Sequence, residues 1–223
     1  MALDKLTQVL DAQVEQLEDE GRAKGKEAVV TRVYPPEGDR GPRFMLRGEG
    51  EKQFIRMNSN SYLGMGLRPE VIEAEEAGSR AFGAGPGAVR FISGTYAAHQ
   101  KLEKQLAAFH GREAGMIFSS AYATIMGIIT PLITPETAVV SDELNHNCII
   151  NAMRLSRPAE KIIYPHNDME ALDRACRRAA AGDAKRLMVV TDGIFSMRGD
   201  HAPLDEVVRI VRQYDTQFEE NAF

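Results

Sequence analysis

Three apolar stretches of strand type each end in a short polar segment whose side chains could do chemistry. The segments are Phe118–Tyr122, Asp142–His146 and Thr191–Met197. They offer serine hydroxyls, an imidazole and carboxylates, which are groups that bind polar ligands and move protons. In a parallel α/β sheet, the loops at the carboxyl ends of the strands lie together at the edge where ligands bind. The pattern therefore predicts one ligand site built from three separate segments of the chain.

Each segment also has a plainer interpretation. Ser119–Thr124 is predicted to begin a helix, whose free N–H groups suit a phosphate, although a serine that caps the helix explains the same residues. His146 could stack on a flat ring, act as an acid or base, or be purely structural. Asp192 and Ser196 could orient a ring or a water molecule, but an Asp-Gly pair also forms turns. No single segment decides between ligand binding and local structure.

The glycine-rich segment Gly83–Gly94 does not fit a dinucleotide-binding loop. Gly85 and Gly87 have the first spacing of that motif, but Arg90 stands where its third glycine is needed. The segment also follows a predicted helix, whereas the dinucleotide motif follows a strand. We therefore expect a turn whose glycines adopt positive φ angles, and no nucleotide site.

The elements that must position these segments alternate between strands and helices from about Arg68 onwards. Apolar residues three and four apart predict helices, and short apolar runs predict strands. The predicted strands are Gly115–Phe118, Ala138–Ser141, Lys161–Tyr164 and Arg186–Thr191, and the predicted helices are Arg68–Phe82, Ala97–His110, three that end at Thr130, Ser156 and Ala181, and Leu204–Tyr214. This alternation predicts parallel strands joined by helical crossovers. A capping box at Asn167–Glu170 is expected to start the helix that ends at Ala181.

The first part of the chain has a different pattern. A stripe of leucine and valine over residues 3–17 predicts an amphipathic helix that ends near Gly21 and packs either on the same chain or on a second subunit. Residues 22–50 are rich in glycine and proline, and Pro35-Pro36 and Gly38-Asp39 are turn signals. Two short strands are predicted, at Phe44–Arg47 and Gln53–Met57.

Composition argues against several classes of function. A net charge of −5 is unlike a nucleic-acid footprint, which needs a basic face. Cys148 and Cys176 fit no metal-binding spacing, so we expect reduced, buried side chains and no metal site. The sequence shows neither a signal peptide nor an apolar run of about 18 residues, so no membrane association is expected. These features are typical of a globular cytoplasmic protein.

Taken together, the motifs resemble the α-oxoamine synthase family, which are pyridoxal-phosphate (PLP) enzymes of the fold-type I aminotransferase class. Five segments match in order and spacing across about residues 55–215: Asn58–Gly64, Arg90–Thr95 with His99, Phe118–Tyr122, Asp142–His146 and Thr191–Met197. The resemblance implies an α/β fold in which residues 58–223 form the N-terminal part of the PLP-binding large domain, a mostly parallel sheet with helices on both faces. Residues 1–57 would form an N-terminal helix and an extended segment. Within the family, Thr191–Met197 and Asn167–Met169 resemble the glycine C-acetyltransferase branch.

The resemblance also implies how the cofactor PLP would be held. Backbone N–H groups near Ala121 and Tyr122 would bind its phosphate, and His146 would stack on its ring. Ser196 would form a hydrogen bond with the phenolic oxygen of the ring. Asp192 would not touch PLP itself but would contact the residues that do. At the positions of Ala121 and Tyr122, the family often has glycine or cysteine followed by phenylalanine. Because phenylalanine has no hydroxyl group, the resemblance assigns no partner to the hydroxyl of Tyr122.

By this resemblance, the reaction is the condensation of a small amino acid, expected to be glycine, with an acyl-CoA. Asn60 would bind the carboxylate of the substrate, His146 would contact the substrate as a catalytic residue, and the full-length protein would be a homodimer. Two kinds of alternative stay open. The chain could be a non-catalytic partner subunit, or it could be another fold-type I enzyme, such as an 8-amino-7-oxononanoate synthase-like enzyme, an aminotransferase or a C–S lyase.

The family pattern continues past the last residue of the chain. A strand with Asp-Asp-x-His, and later the lysine that forms the Schiff base with PLP, would follow Phe223. Lys161 and Lys185 precede predicted strands, so they lie at the wrong end of the sheet for that role. We therefore expect the chain to be an N-terminal portion that is inactive by itself, with an exposed sheet edge.

Overall fold

The computed structural model describes residues 3–223 and divides them into two units, one up to Thr95 and one over Tyr96–Phe223. The segment boundary predicted after residue 57 remains a prediction. None of the helices over residues 3–223 is long and apolar enough to cross a membrane. The same residues contain no cluster of three or more His, Cys, Asp or Glu side chains that could hold a metal ion.

The first unit combines α-helices with a small antiparallel sheet. Its elements are α1 (Asp4–Asp19), β1 (Val30–Tyr34), β2 (Arg43–Leu46), β3 (Gln53–Phe54) and α2 (Pro69–Phe82). The structure confirms the two predicted helices. The first predicted strand forms one residue earlier, as β2, and the second forms in a shortened version, as β3. The apolar side chains of Leu6, Leu10 and Val14 on α1 are exposed within the described residues.

Strand β1 lies in a segment for which the sequence predicted only loops and turns. It pairs antiparallel with β2, with Val33 opposite Phe44 and Tyr34 opposite Arg43. The predicted turn signals at residues 35–39 fall in the connection between the two strands. The prediction was wrong because the exposed face of β1 carries no regular apolar alternation, and the strand is held by backbone pairing with its neighbour.

The glycine-rich segment is a turn, as predicted. Gly83 and Gly87 have φ angles of +84° and +65°, which residues with a Cβ atom rarely adopt. Arg90–Gly94 then forms a single π-helical turn. A Cβ atom at Gly94 would overlap the carbonyl group of Ala88, so close backbone packing explains the glycine at this position.

The second unit alternates helices and strands as the sequence predicts. Its elements are α3 (Ala97–Phe109), α4 (Ala121–Leu132), β4 (Thr137–Asp142), α5 (Asn147–Leu155), β5 (Glu160–Tyr164), α6 (Met169–Ala180), β6 (Arg186–Val190), β7 (Ile194–Phe195), β8 (Asp200–His201) and α7 (Leu204–Arg212). Strand β4 lies in the middle of a parallel sheet with the order β5-β4-β6. β7 and β8 form a short antiparallel hairpin.

Strand β4 is the centre of the hydrophobic core, and all six of its residues are buried. Because successive side chains of a strand point to opposite faces, its apolar residues serve two cores. Ala138 and Val140 pack with residues of α6 and α7. Val139 packs on the other face with Ile149 and Ala152 of α5. Helices therefore cover both faces of the sheet, as the alternating pattern predicts.

Both cysteines are free and buried, as predicted from their spacing. Burial, with a smaller contribution from the charge of Asp173, raises the pKa of Cys176 to about 12. Burial also raises the pKa of the Cys148 thiol. Both side chains are therefore uncharged, and they pack as small apolar groups.

The predicted strand at Gly115–Phe118 does not form a ladder with any strand among residues 3–223. The segment is irregular, and the backbone N–H of Ile117 donates to Oε1 of Glu103 at 3.1 Å. Apolar residues alone predicted a strand here, but a strand also requires a paired neighbour. The predicted capping box at Asn167 is wrong in its position. Asp168 caps α6 and accepts from the N–H of Ala171, while Asn167 adopts a left-handed φ of +55°.

The outer edge of β6 is partly paired. The backbone N–H of Leu187 donates to the carbonyl of Asn221 at 3.1 Å, and the N–H of Val189 donates to that of Phe223 at 2.8 Å. Oδ1 of Asp215 holds this segment by accepting from the N–H of Ala222 at 3.0 Å. The exposed edge expected beyond β6 is therefore covered along part of its length.

Candidate functional site

The start of α4 presents unpaired backbone donors. Ser120 caps the helix, and its Oγ accepts from the N–H of Ala123 at 3.0 Å. The first N–H groups of a helix have no acceptor within it. The N–H groups of Ala121 and Tyr122 donate to no acceptor among the described residues. Two donors at the positive end of the helix dipole are therefore available to an anion.

The side chain of Tyr122 has a partner that sequence analysis did not assign. Its hydroxyl oxygen accepts from Nδ2 of Asn151, on α5, at 3.0 Å. This hydrogen bond joins the first turn of α4 to α5 and directs the phenol towards that helix. The backbone N–H of Tyr122 remains available whatever the side chain does.

A buried amide, Asn145, joins the ends of β4 and β6. Its Nδ2 donates to the carbonyl of Val190 at 2.7 Å and to Oγ of Ser141 at 2.9 Å. Its Oδ1 accepts from the N–H of Asp192 at 2.9 Å. Asn145 is 3% exposed. The two polar segments that follow these strands are therefore held together by one side chain that sequence analysis did not single out.

Asp192 and His146 are in direct contact, as an arrangement at one sheet edge predicts. Oδ2 of Asp192 accepts from the backbone N–H of His146 at 2.7 Å. His146 is the capping residue of α5, and its Nδ1 accepts from the N–H of Cys148 at 3.2 Å. The same nitrogen lies 2.9 Å from Sγ of Cys148. The carboxylate thus fixes the backbone of His146, and the helix start fixes its ring.

These contacts determine the proton position on the His146 ring. Since Nδ1 accepts a hydrogen bond from a backbone N–H, the neutral ring carries its proton on Nε2. His146 is exposed, and its Nε2 has no partner among the described residues. The ring can therefore present a flat face and one N–H donor to a ligand.

Ser196 lies on the connection between β7 and β8. The backbone N–H of Gly199 closes this turn by donating to the carbonyl of Phe195 at 2.7 Å, and Gly199 has a φ of +78°. Ser196 is exposed, and its hydroxyl makes no hydrogen bond within residues 3–223. No hydrogen bond of those residues joins it to His146 or to the start of α4. The hydroxyl is thus available at the tip of a hairpin.

The hairpin is tied to the sheet by a second histidine, His166, which follows β5. Its Nδ1 lies 3.1 Å from Oδ1 of Asp142, at the end of β4, and its Nε2 lies 3.1 Å from Oδ2 of Asp200, on β8. The ring packs edge-on against Phe195, with a centroid separation of 4.3 Å. Asp142 is 1% exposed and also accepts from the backbone N–H groups of Leu144 and Asn167.

Electrostatics at His166 combine opposing influences. Burial, the largest of them, lowers the pKa of the imidazole, but hydrogen bonds to Asp142 and Asp200 outweigh it and leave that pKa above its ordinary value. The hydrogen bond from His166 in turn holds the pKa of the Asp200 carboxyl below its usual range. Burial, assisted by the charge of Asp142, raises the pKa of Tyr164 to about 12, so this phenol is neutral.

Sequence analysis missed Asn145 and His166 for different reasons. Asn145 lies inside the Asp142–His146 segment, but a single asparagine beside a histidine carries no signal of its own in the sequence. His166 comes two residues after the predicted strand Lys161–Tyr164, and a position shortly after a strand was also the signal that singled out His146. Its carboxylate partners lie 24 and 34 positions away along the chain, so no local spacing could identify them.

Asn60 belongs to the first unit and is exposed. Its backbone carbonyl accepts from the N–H of Tyr62 at 2.9 Å. The chain then turns sharply, and Leu63 and Gly64 have positive φ angles of 56° and 66°. The side chain of Asn60 makes no hydrogen bond among residues 3–223, so its amide is available to a ligand.

Comparisons with known proteins agree with this architecture. The family described as aminotransferase class I and II matches residues 52–217. The 8-amino-7-oxononanoate synthase 1 of Bacillus velezensis is 40% identical over 179 residues, which are 80% of this chain and 44% of that protein. The 8-amino-7-oxononanoate synthase of Citrifermentans bemidjiense is 45% identical over 177 residues, 79% of this chain and 44% of that protein.

Solved structures of serine palmitoyltransferases are also similar. The enzyme from Sphingomonas wittichii matches 95% of this chain and 50% of its own, with 29% identity and a TM-score of 0.79. The enzyme from S. paucimobilis, solved with a bound PLP–myriocin aldimine, matches 96% of this chain and 50% of its own, with 29% identity and a TM-score of 0.78. The chain spans about half the length of the relatives that it matches.

The parallel sheet with helices on both faces is that of the large domain of a fold-type I PLP transferase, which confirms the predicted fold class. The chain belongs to the aminotransferase class I and II family and, within it, to the α-oxoamine synthases. The resemblance stated from the sequence motifs is thereby confirmed at the level of the family.

Proposed function

We propose that this protein is a PLP-dependent acyltransferase that condenses a small amino acid with an acyl-CoA. The observation that carries the proposal is the hydrogen bond between Asp192 and the backbone of His146, closed by the buried amide of Asn145. It joins two of the segments to which the family resemblance assigns the cofactor. These segments follow neighbouring parallel strands, at the edge of the sheet where ligands bind.

The residues present fit the chemical groups of PLP. The free N–H groups of Ala121 and Tyr122 suit its phosphate, because helix starts bind anions through backbone donors. The exposed ring of His146 suits its flat pyridine ring. The free hydroxyl of Ser196 suits its phenolic oxygen. In this arrangement Asp192 acts indirectly, since its carboxylate is engaged with the backbone of His146.

PLP, when bound, supplies an electron sink for negative charge at the α-carbon of an amino acid. The chain itself would bind and orient. We propose that Asn60 donates its side-chain amide to the carboxylate of the substrate. We propose that His146 contacts the substrate through the proton on Nε2, because Nδ1 is already occupied by the start of α5. His146 is thus the proposed catalytic residue among those described.

For the identity of the substrates, the similar relatives favour an 8-amino-7-oxononanoate synthase-like enzyme over the glycine C-acetyltransferase branch expected from the motifs. Two similar relatives, from Bacillus velezensis and Citrifermentans bemidjiense, are named 8-amino-7-oxononanoate synthase, whereas the glycine C-acetyltransferase branch rests on the motifs. The name of that product describes an amino group and a ketone on adjacent carbons, with a carboxylate at the far end. We propose substrates of that type: alanine, whose α-carbon bears the extra methyl group, and an acyl-CoA with a terminal carboxylate.

The test is an assay of free CoA release by the purified full-length protein saturated with PLP, since the N-terminal portion is expected to be inactive by itself. Four mixtures pair glycine or alanine with acetyl-CoA or with a carboxylated acyl-CoA. We expect release with alanine and the carboxylated acyl-CoA, and its loss in His146→Ala but not in the matched control His110→Ala, on α3's exposed end. Release with glycine and acetyl-CoA would favour the first expectation. PLP-dependent amino-group transfer without CoA release would contradict the proposal.

We further propose, from the family alone, that the full-length protein is a homodimer in the cytoplasm. Sedimentation of the PLP-bound protein tests the first part, and a stable monomer at assay concentration would contradict it.

A further inference from the structure

His166 connects two parts of the fold through two carboxylates. Asp142 belongs to the central strand β4, whereas Asp200 belongs to the hairpin that carries Ser196. A neutral imidazole has one N–H group, so it can donate to one of these carboxylates only. The lone pair of its second nitrogen would then point at a carboxylate oxygen only 3.1 Å away, with no proton between them. A doubly protonated ring removes this conflict, since it donates to both.

From this geometry we infer that His166, as an imidazolium, is a positioning residue that fixes the β7–β8 hairpin and with it the Ser196 hydroxyl. The inference rests on the proposed function, which gives Ser196 a contact with the cofactor. His166 itself touches neither substrate nor cofactor in this account. It acts through the hairpin.

Two further contacts tie the same loop to the same hairpin. The His166 ring packs edge-on against Phe195, the residue directly before Ser196. Nδ2 of Asn167 donates to the carbonyl of His201 on β8 at 3.2 Å. Three interactions from two consecutive residues therefore hold a hairpin whose own ladder has only two residue pairs. So short a ladder is only marginally stable by itself, and these contacts decide where it lies.

The surroundings of the ring favour a positive charge. Asp142 and Asp200 face its two nitrogens, and the carboxylate of Glu143 accepts from the backbone N–H of His166 at 3.0 Å. Arg198 is the basic group beside them, and its Nε donates to the same Asp200 oxygen at 3.1 Å. The Tyr164 phenol, close to Asp142, is neutral. Oδ1 of Asp200 is buried without a hydrogen-bond partner among the described residues.

A neutral ring accepting from Asn167 is the competing arrangement. Nδ2 of Asn167 lies 3.3 Å from Nε2 of His166, but the shorter contact of Nε2 is with Asp200. Since Asp200 also accepts from Arg198, it is ionised and cannot supply the missing proton. The imidazolium is the form that donates to both carboxylates.

Hydrogen exchange of the cofactor-free protein tests the inference. The amides of Gly199 and Ala202 report on the hairpin because both donate within it or at its base. In His166→Asn we expect their protection factors to fall about tenfold or more at pH values where the wild-type ring is doubly protonated, since hydrogen bonds to a charged group are lost. The difference from the wild type should shrink as the pH rises. His201→Asn is the matched control on the same hairpin, because its side chain is exposed, and it should exchange like the wild type.

Asp200→Asn shows whether the hairpin is held by the charge of the His166 ring or only by packing against it. A neutral His166 can donate to Asp142 and accept from the new amide, so this variant should keep its protection as the pH rises. The wild type should lose protection as the ring deprotonates. Unchanged protection in His166→Asn, or identical pH profiles of the wild type and Asp200→Asn, would overturn the inference.

If His166→Asn does not fold, nitrogen NMR of the wild type with labelled histidine tests the protonation state of the His166 ring instead. Nitrogen NMR of the wild type should show the His166 ring doubly protonated at pH 6.5, the ordinary pKa of the group, and a neutral ring there would overturn the inference. In the full-length protein loaded with PLP, His166→Asn should change the cofactor absorption as Ser196→Ala does, whereas His201→Asn should not. Failure of the full-length wild type to bind PLP would refute the proposed function, and the hydrogen-exchange result would still test the role of His166 in the hairpin.

Discussion

Two histidines follow neighbouring strands of the same sheet and end in opposite environments. His146 comes after β4 and is exposed, with Nδ1 bound at the start of α5 and Nε2 open. His166 comes after β5, and its side chain is 9% exposed, with a carboxylate at each ring nitrogen. The position after a strand is shared, so it does not determine the role. The partners of the ring determine it.

This difference separates contact with a ligand from positioning. An exposed ring with one free N–H can meet a cofactor or substrate, as we propose for His146. A ring enclosed by carboxylates has no free donor, and its charge serves to hold other elements. The geometry of the two loops depends on buried polar side chains, Asp142 beside His166 and Asn145 beside His146.

The largest effect is expected from Asp142→Ala, which breaks the enclosed arrangement. It should lower the free energy of unfolding by about 3–5 kcal/mol, because a buried imidazolium and two backbone N–H groups lose their acceptor. Denaturant unfolding measures the loss. The exposed Asp183→Ala should change stability by less than about 0.5 kcal/mol. Equal effects of the two substitutions on the free energy of unfolding would show that the hydrogen bonds of Asp142 do not stabilise the fold.

A smaller loss is expected from Asn145→Ala, on the His146 side of the comparison. The carbonyl of Val190 and the N–H of Asp192 would lose their partner, at a cost of about 2–3 kcal/mol. The exposed Asn147→Ala should cost less than about 0.5 kcal/mol. Because Asp192 holds His146, affinity for PLP should also fall in the first variant. Unchanged stability and unchanged affinity for PLP would show that the Asn145 amide does not hold the two segments together.

The pH dependence of stability should come from the enclosed histidine. Because the folded-state pKa of His166 is raised above its unfolded value, its contribution is complete below the unfolded pKa of about 6.5. It is lost as the pH rises through the folded pKa. The stability difference between the wild type and His166→Asn should therefore shrink as the pH rises. A difference that grows with pH would have the wrong sign.

The smallest effect is expected from Tyr122→Phe. It removes a partly exposed hydrogen bond to Asn151, so the free energy of unfolding should fall by about 0.5–1 kcal/mol. Affinity for PLP should stay within about twofold, because the proposed phosphate contact is made by the backbone. A large loss of affinity would place the hydroxyl itself on the ligand.

Much of the fold follows from local sequence patterns. Helices such as α2 and α7 have regular apolar spacing, and the fully buried strand β4 has the apolar run Ala138–Val140 at its centre, so both kinds of element were predicted. The strand predicted at residues 115–118 does not form, since pairing depends on a neighbour that local composition does not encode. Strand β1 shows the converse, because pairing with β2 creates a strand without a clear pattern.

The candidate site divides in the same way. The motif segments located His146 and Asp192 near one another, and their hydrogen bond confirms that proximity. The roles assigned to them remain predictions. The cluster of Asp142, His166 and Asp200 joins residues far apart in the chain, and no spacing rule connects them. Tertiary contacts of this kind require the structure.

NMR of the histidine rings during titration with PLP tests the central claim most directly. The account predicts that the His146 ring signals shift on binding, because the pyridine ring stacks on it, while the exposed His201 ring does not respond. Binding with no change at His146, or with equal changes at both rings, would contradict the proposed site.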